Sequence, residues 1–259
     1  WYTTFEPHDP RFAALRVGGR LTGSSALKLL GAWMWAAHPP ITVSVAQNAA
    51  RLRDVRGART VYDPEAVTSR GSYWSVDPRD ALVRAVVEAR FEEAVTLWDW
   101  ALTSRVFSEA DLDEVASRLP TDARRVVSWA DAGSESHIES IARVRLMQAG
   151  YSVTTQEPVG SRQAIDLVVN GVVGLEIDGH AFHAETFEYD RAKDLAIAIE
   201  GRTPLRVSYK MIKNRWSRIL RALEQAVGQH RLSRWRPVPT PERARLVKPR
   251  GRRKWRLAA

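Results

Sequence analysis

The chain has no cysteine. Disulfides, thiolate zinc sites and a cysteine nucleophile are therefore excluded, and the composition suits a reducing, cytoplasmic setting. No apolar run approaches the ~18 residues needed to span a bilayer, so no membrane partner is expected. No basic-then-apolar leader is read at the start. An excess of one charge is also missing from most of the sequence. Residues 1–228 balance acids and bases to within one, yet the whole chain carries +9. The excess lies in residues 229–259, with 11 Lys or Arg against one acid. A basic charge loaded at one end points to a polyanion, most often nucleic acid. The remainder, 44% apolar and 27% charged, is ordinary for a globular protein of one large or two modest domains.

The most informative stretch is 164–194, AIDLVVNGVVGLEIDGHAFHAETFEYDRAKD. Two β-branched runs, 165–169 and 172–177, flank Asn170-Gly171, a dipeptide suited to a type I′ hairpin turn. Asp166 and Glu176 then fall near the open end of an antiparallel hairpin. Alternation of side chains puts Glu176 and Asp178 on one face and Ile177 on the other. Acids among apolar strand residues are costly to bury unless they are paired or hold a metal. Mg²⁺ is held by one or two carboxylates plus waters and substrate phosphates. Asp166, Glu176 and the backbone carbonyl of Ile177 meet that need. Acids facing water or paired with Arg would read the same from spacing alone.

Asp166, EIDGHAFH at 176–183 and YDRAKD at 189–194 together resemble the Vsr-like branch of the PD-(D/E)XK nuclease superfamily, which includes the very-short-patch-repair endonucleases. The likeness spans roughly 134–227. It includes a leading helix with Glu139, the TQEP step at 155–158 and a helix carrying Asp190 and Arg191. It implies a restriction-endonuclease-like α/β fold, a mixed sheet with flanking helices, and metal-dependent hydrolysis of DNA. Mg²⁺ is the implied cofactor, with Mn²⁺ as a substitute. Asp178 stands where the wider superfamily often has Lys. Lys193 or Arg191, one turn into the helix, are candidates to replace that charge. The Phe182-His183 step matches a catalytic His of the repair enzymes, which makes His183 the candidate general base or acid. His180 is read as a surface residue. Glu139 is a candidate to hold a metal-bound water, or else pairs with an Arg.

Taken in order, residues 1–78 read as a small α+β domain. A short strand is expected near 13–17, a helix over 26–35 and a strand at 41–45. This part loosely resembles the abortive-infection-type antitoxin region that precedes Vsr-like domains, and offers a surface for a protein partner. Residues 79–133 read as a helical connector whose Trp98 and Trp100 pack internally. Residues 134–228 form the nuclease-like domain, ordered α-β-β-β-α-β-α. Its second helix is expected to face the sheet with Ala192, Leu195, Ala196 and Ile199. Its last helix, begun at Tyr209, leaves Lys213 and Arg215 off the buried stripe. With Arg191 these are candidate DNA contacts. The Pro- and Arg-rich tail 229–259 adds Arg234, Arg236, Arg250, Arg252, Arg253, Lys254 and Arg256 for phosphates, and Trp235 and Trp255 for stacking. A second reading is a non-catalytic DNA-binding or antitoxin-like regulator built on a degenerate nuclease fold.

Overall fold

The structure is a computed structural model that describes residues 4–35, 40–160, 163–178 and 187–234, with backbone alone for 187 and 231–234. It begins with α1 (Pro10–Val17), β1 (Arg20–Leu21) and α2 (Gly23–Leu29). The stretch at 13–17 is helical, where a strand was expected. Asp9 accepts from the Arg11 N–H at 2.8 Å and Pro10 takes the first turn, and this start signal sets the local structure. Next come β2 (Ile41–Ala46), β3 (Ala58–Asp63) and α3 (Glu65–Thr68). The sheet runs β1-β2-β3, with β2 and β3 parallel.

Four helices follow: α4 (Pro78–Glu88), α5 (Phe91–Thr103), α6 (Glu109–Arg118) and α7 (Thr121–Arg124), the last continuing as a 3₁₀ turn over Arg125–Trp129. Ser108 and Asp111 make a complete capping box at α6. One core gathers Leu21, Leu27, Val43 and Val45 with Leu82, Val95, Trp98 and Trp100 of these helices.

The second sheet is built by α8 (His137–Gln148), β4 (Val153–Val159), β5 (Gln163–Val169), β6 (Val173–Asp178), α9 (Phe187–Ile199) and β7 (Thr203–Ser208). Its strand order is β4-β5-β6-β7. β4, β5 and β6 are antiparallel, and β7 returns parallel to β6 after a crossover that contains α9. Asn170 and Gly171 have φ of 51° and 67°, as a type I′ turn requires. The expected single last helix is two, α10 (Tyr209–Asn214) and α11 (Trp216–Arg234). Arg215, at φ −137°, separates them. The architecture is thus mixed α/β, with two small sheets and many helices. Among the described residues no helix is long and apolar enough to cross a membrane.

The two faces of the second sheet are covered differently. Leu167, Val169, Val173 and Leu175 pack with Ile138, Ile141 and Leu146 of α8 and Ile219 and Leu223 of α11. The other face meets α9 through Ile197, which joins Val159, Ile165 and Val168. Gly174 permits this approach, because a Cβ there would lie 2.8 Å from Ile197 Cγ2. The orientation of α9 corrects the expectation. Leu195 and Ile199 are 65% and 85% exposed, while Ile197 and Lys193 turn inward. Of the expected stripe Ala196 does pack against the sheet-side cluster, while Ala192, Leu195 and Ile199 face outward. The ion pairs that α9 makes with β5, β6 and β7 select the other stripe.

The helical stretch and α8 meet across a buried ion pair. Arg143 of α8 donates to Asp99 Oδ2 of α5 at 2.8 Å and to the Trp129 carbonyl at 2.7 Å. The Asp131 N–H donates to Asp99 Oδ1 at 2.8 Å. Both charged side chains are almost fully buried. Asp131 continues the chain of contacts by accepting from Thr155 Oγ1 of β4 at 2.9 Å.

Candidate active site

Glu176 lies two residues beyond Gly174 on β6, so it faces α9 as Gly174 does. Lys193 lies one turn before Ile197, so it rides over Glu176. The result is a contact of 2.5 Å from Lys193 Nζ to Glu176 Oε2, with Asp166 Oδ1 3.7 Å from the same nitrogen. Asp166 and Glu176 therefore converge on one point from neighbouring strands. Regular β5–β6 pairing is recorded only for Leu167 to Val169. Beyond it, Asp166 Oδ2 accepts from the Ile177 N–H at 2.7 Å. In an extended strand the N–H and C=O of one residue leave on the same side, so the Ile177 carbonyl is also directed toward β5.

Both carboxyls are pushed above their ordinary range. For Asp166 the cause is burial, opposed by the Ile177 N–H and by Lys193 and Arg206. For Glu176 it is burial reinforced by the Asp166 charge, opposed by the same two cations. Glu176 is 4% exposed, and its Oε1 has no hydrogen-bond partner among the described residues. A buried carboxylate oxygen without a partner is costly.

These shifts carry a sign. An acid whose folded pKa is raised binds a proton in the folded state at a pH where the unfolded chain has lost it. Its stabilising contribution is full below the unfolded value and is lost as pH rises through the folded one. The melting temperature of metal-free protein should therefore decline from this source as pH rises above the ordinary carboxylate range. Glu176→Gln should flatten that decline, which thermal denaturation across a pH series will read.

Glu139 lies in the first turn of α8, whose N-cap is Ser136; its Oε1 accepts from Ser136 Oγ at 2.7 Å and its Oε2 from the Glu135 N–H at 2.9 Å. No Arg pairs with it among the described residues. Burial pushes its carboxyl up, with the Asp166 charge adding to the effect against the pull of the cap hydrogen bonds. Its oxygens are thus engaged in the cap. Asp178 is held by Arg206 at 2.9 Å, apart from the Lys193 contact. Arg191 is 57% exposed and pairs with Asp194 at 3.2 Å, so of the two candidate cations it is Lys193 that reaches the acids. Lys213 lies over the rings of Tyr209 and Trp35 at 5.6 and 6.0 Å. Arg215 is exposed. His180, His183, Arg236, Trp235, Arg250, Arg252, Arg253, Lys254, Trp255 and Arg256 lie outside the described residues, as does the side chain of Arg234.

One residue that the sequence reading did not name is Arg206. It pairs across β6–β7 with Glu176 in the register. Its guanidinium reaches Asp178 at 2.9 Å, Asp194 at 2.9 Å and Asp190 at 3.4 Å. It also donates to the Asp190 carbonyl at 3.2 Å. Arg206 thus fastens α9 to the sheet beside the acids. The available signal was the parallel β7, which sets its fourth residue level with Glu176.

Among the described residues no three His, Cys, Asp or Glu form a complete cation cage. Mg²⁺ does not require one, since one or two carboxylates, waters and substrate oxygens suffice. Two converging carboxylates and an unpartnered Oε1 fit that requirement. No family model, no curated protein and no solved structure matches the chain.

Proposed function

We propose that the chain is a metal-dependent DNA endonuclease or nickase that hydrolyses phosphodiester bonds, in the manner of the Vsr-like proteins that its sequence resembles. One observation carries the reading. A buried acid, Glu176, and a half-buried one, Asp166, converge from neighbouring strands under one ammonium, and Glu176 Oε1 keeps no partner among the described residues, an arrangement typical of a functional site. Asp166, Glu176 and the Ile177 carbonyl would hold Mg²⁺, with Mn²⁺ as substitute. The bound ion would supply Lewis acidity and charge stabilisation at the phosphate. Lys193 contributes a positive charge to the same place, which Asp178 at the usual Lys position does not. Arg206 keeps α9, and with it Lys193, aligned over the acids. His183 is assigned the proton transfer on the strength of its sequence step. Arg191, Lys213, Arg215 and the basic tail are assigned to the DNA backbone.

The reading is tested by incubating the full chain with supercoiled plasmid, mismatched duplex, single-stranded DNA and RNA, each with Mg²⁺, Mn²⁺ or EDTA. Metal-dependent cuts in DNA support it, and intact substrates under every condition refute it.

The tail assignment has its own test. Deleting residues 235–259 removes nine cations, Arg236, Arg243, Arg245, Lys248, Arg250, Arg252, Arg253, Lys254 and Arg256, and leaves α11 in place. Each lost phosphate contact lowers the slope of log K against log[salt] by ~0.9 on duplex DNA. Not every charge will meet a phosphate, so a drop of roughly 3–6 is expected. Parallel slopes for full and shortened chains would remove the tail from DNA binding.

A further inference from the structure

The geometry between α9 and the acid pair points to a second role for Lys193. We propose that its ammonium is an internal counter-ion that holds the place of the divalent cation between Asp166 and Glu176, and that metal loading releases it. The inference rests on the metal-site reading above.

Lys193 Nζ contacts Glu176 Oε2 at 2.5 Å and lies 3.7 Å from Asp166 Oδ1. It is thus directed at both carboxylates from which the metal ligands are drawn. An ammonium and a divalent cation repel each other and compete for the same oxygens. The pair is also not saturated by the ammonium, because Glu176 Oε1 keeps no partner among the described residues. A divalent ion with several coordination positions would satisfy the acids more completely.

The motion required is small. Ile197 is packed at Gly174, and Arg206 grips Asp194 and the Asp190 carbonyl. The α9 backbone is therefore held on both sides of Lys193. Its four-carbon stem is the movable part, a point charge on a flexible arm. Once displaced, the ammonium is available to a substrate phosphate beside the metal. Coupling of this kind is reciprocal. A phosphate that draws Lys193 off the acids strengthens metal binding, and the metal strengthens phosphate binding by the same factor.

The test uses the full chain, MnCl₂ alone as probe, and two measurements. The first is a pulse of acetic anhydride, with acetylation at each lysine read by mass spectrometry and Lys193 normalised to exposed Lys210. Replacing EDTA by Mn²⁺ should raise the relative labelling of Lys193 by ~10-fold, the factor for losing about one charge-assisted contact. The second is calorimetric titration with Mn²⁺. Lys193→Met should bind Mn²⁺ ~10-fold more tightly than the wild type, since the competitor is gone, whereas Lys193→Arg, which keeps a cation, should not. Mn²⁺ binding with unchanged Lys193 labelling would overturn the proposal, as would equal or weaker binding by a folded Lys193→Met. If that variant does not fold, wild-type labelling decides. Absence of Mn²⁺ binding by both the wild type and Lys193→Met would remove the metal site itself, and the counter-ion role with it.

Discussion

Asp166→Asn and Glu176→Gln will each lower metal-dependent DNA cleavage by ~10²–10³-fold at saturating DNA, the scale for losing one preorganised electrostatic group at a reacting centre. Each substitution keeps side-chain shape and removes one charge from a pair that meets at Lys193. DNA affinity should be retained, because Arg191, Lys213, Arg215 and the tail are untouched. Folding should also be retained. The pair is raised by burial, so the ionised acids oppose stability near neutrality, and removing one charge relieves part of that cost. A variant that binds DNA, melts no lower than the wild type and cuts slowly is therefore expected. Single-turnover cleavage, filter binding and thermal melts on the same preparations will read all three. Undiminished cleavage by either variant would remove that carboxylate from the mechanism.

Arg143→Ala will destabilise the fold by about 3–5 kcal/mol, the cost of leaving a buried charge without its partner. For a chain of this size that corresponds to a fall in melting temperature of about 6–20 °C. Asp99 is fully buried and its carboxyl is already pushed up by burial. Arg143 and the Asp131 N–H are what make its burial tolerable. Arg191→Ala is the contrast, because Arg191 is 57% exposed in its pair with Asp194 and such pairs contribute ~0–1 kcal/mol. If the two variants melted together, the α5–α8 junction would not be the keystone that its burial indicates. Asp99→Leu combined with Arg143→Leu should recover much of the loss, since removing both charges leaves neither one stranded.

What was legible in the sequence follows the range over which each signal acts. Asn170-Gly171 fixed the hairpin because a positive φ at both positions is a local demand. Ser108 and Asp111 marked the start of α6 because a capping box closes within one turn. Asp9-Pro10 offered a similar local signal for α1, and the strand reading of 13–17 passed over it. The face of α9 was misread in part, Ala196 alone of the expected stripe packing inward, because two stripes compete on that helix. Ala192, Leu195, Ala196 and Ile199 look like a core face by spacing. Lys193, Asp190 and Asp194 win through partners on other strands, none of them adjacent in sequence. Arg206 and Arg143 were missed for the same reason. A buried or half-buried Arg looks like a solvated one until the register sets Arg206 beside Glu176 and packing sets Arg143 against Asp99. The acid pair was legible in part, because strand alternation and the hairpin turn limit where Asp166 and Glu176 can point. Which of Lys193 and Arg191 would close on them depended on the rotation of α9.

The central claim is that Asp166 and Glu176 form a metal-dependent centre for DNA hydrolysis. Its most direct test is relaxation of supercoiled plasmid by full-length protein, followed on one reaction as EDTA is added and then overcome by excess Mg²⁺, with Glu176→Gln run in parallel. The account predicts nicked or linear DNA that accumulates with Mg²⁺, stops with EDTA and resumes when Mg²⁺ is restored, while Glu176→Gln accumulates product ~10²–10³-fold more slowly. Plasmid that is bound and shifted but never cut under any of these conditions would contradict it, and would make the chain a DNA-binding protein without catalysis.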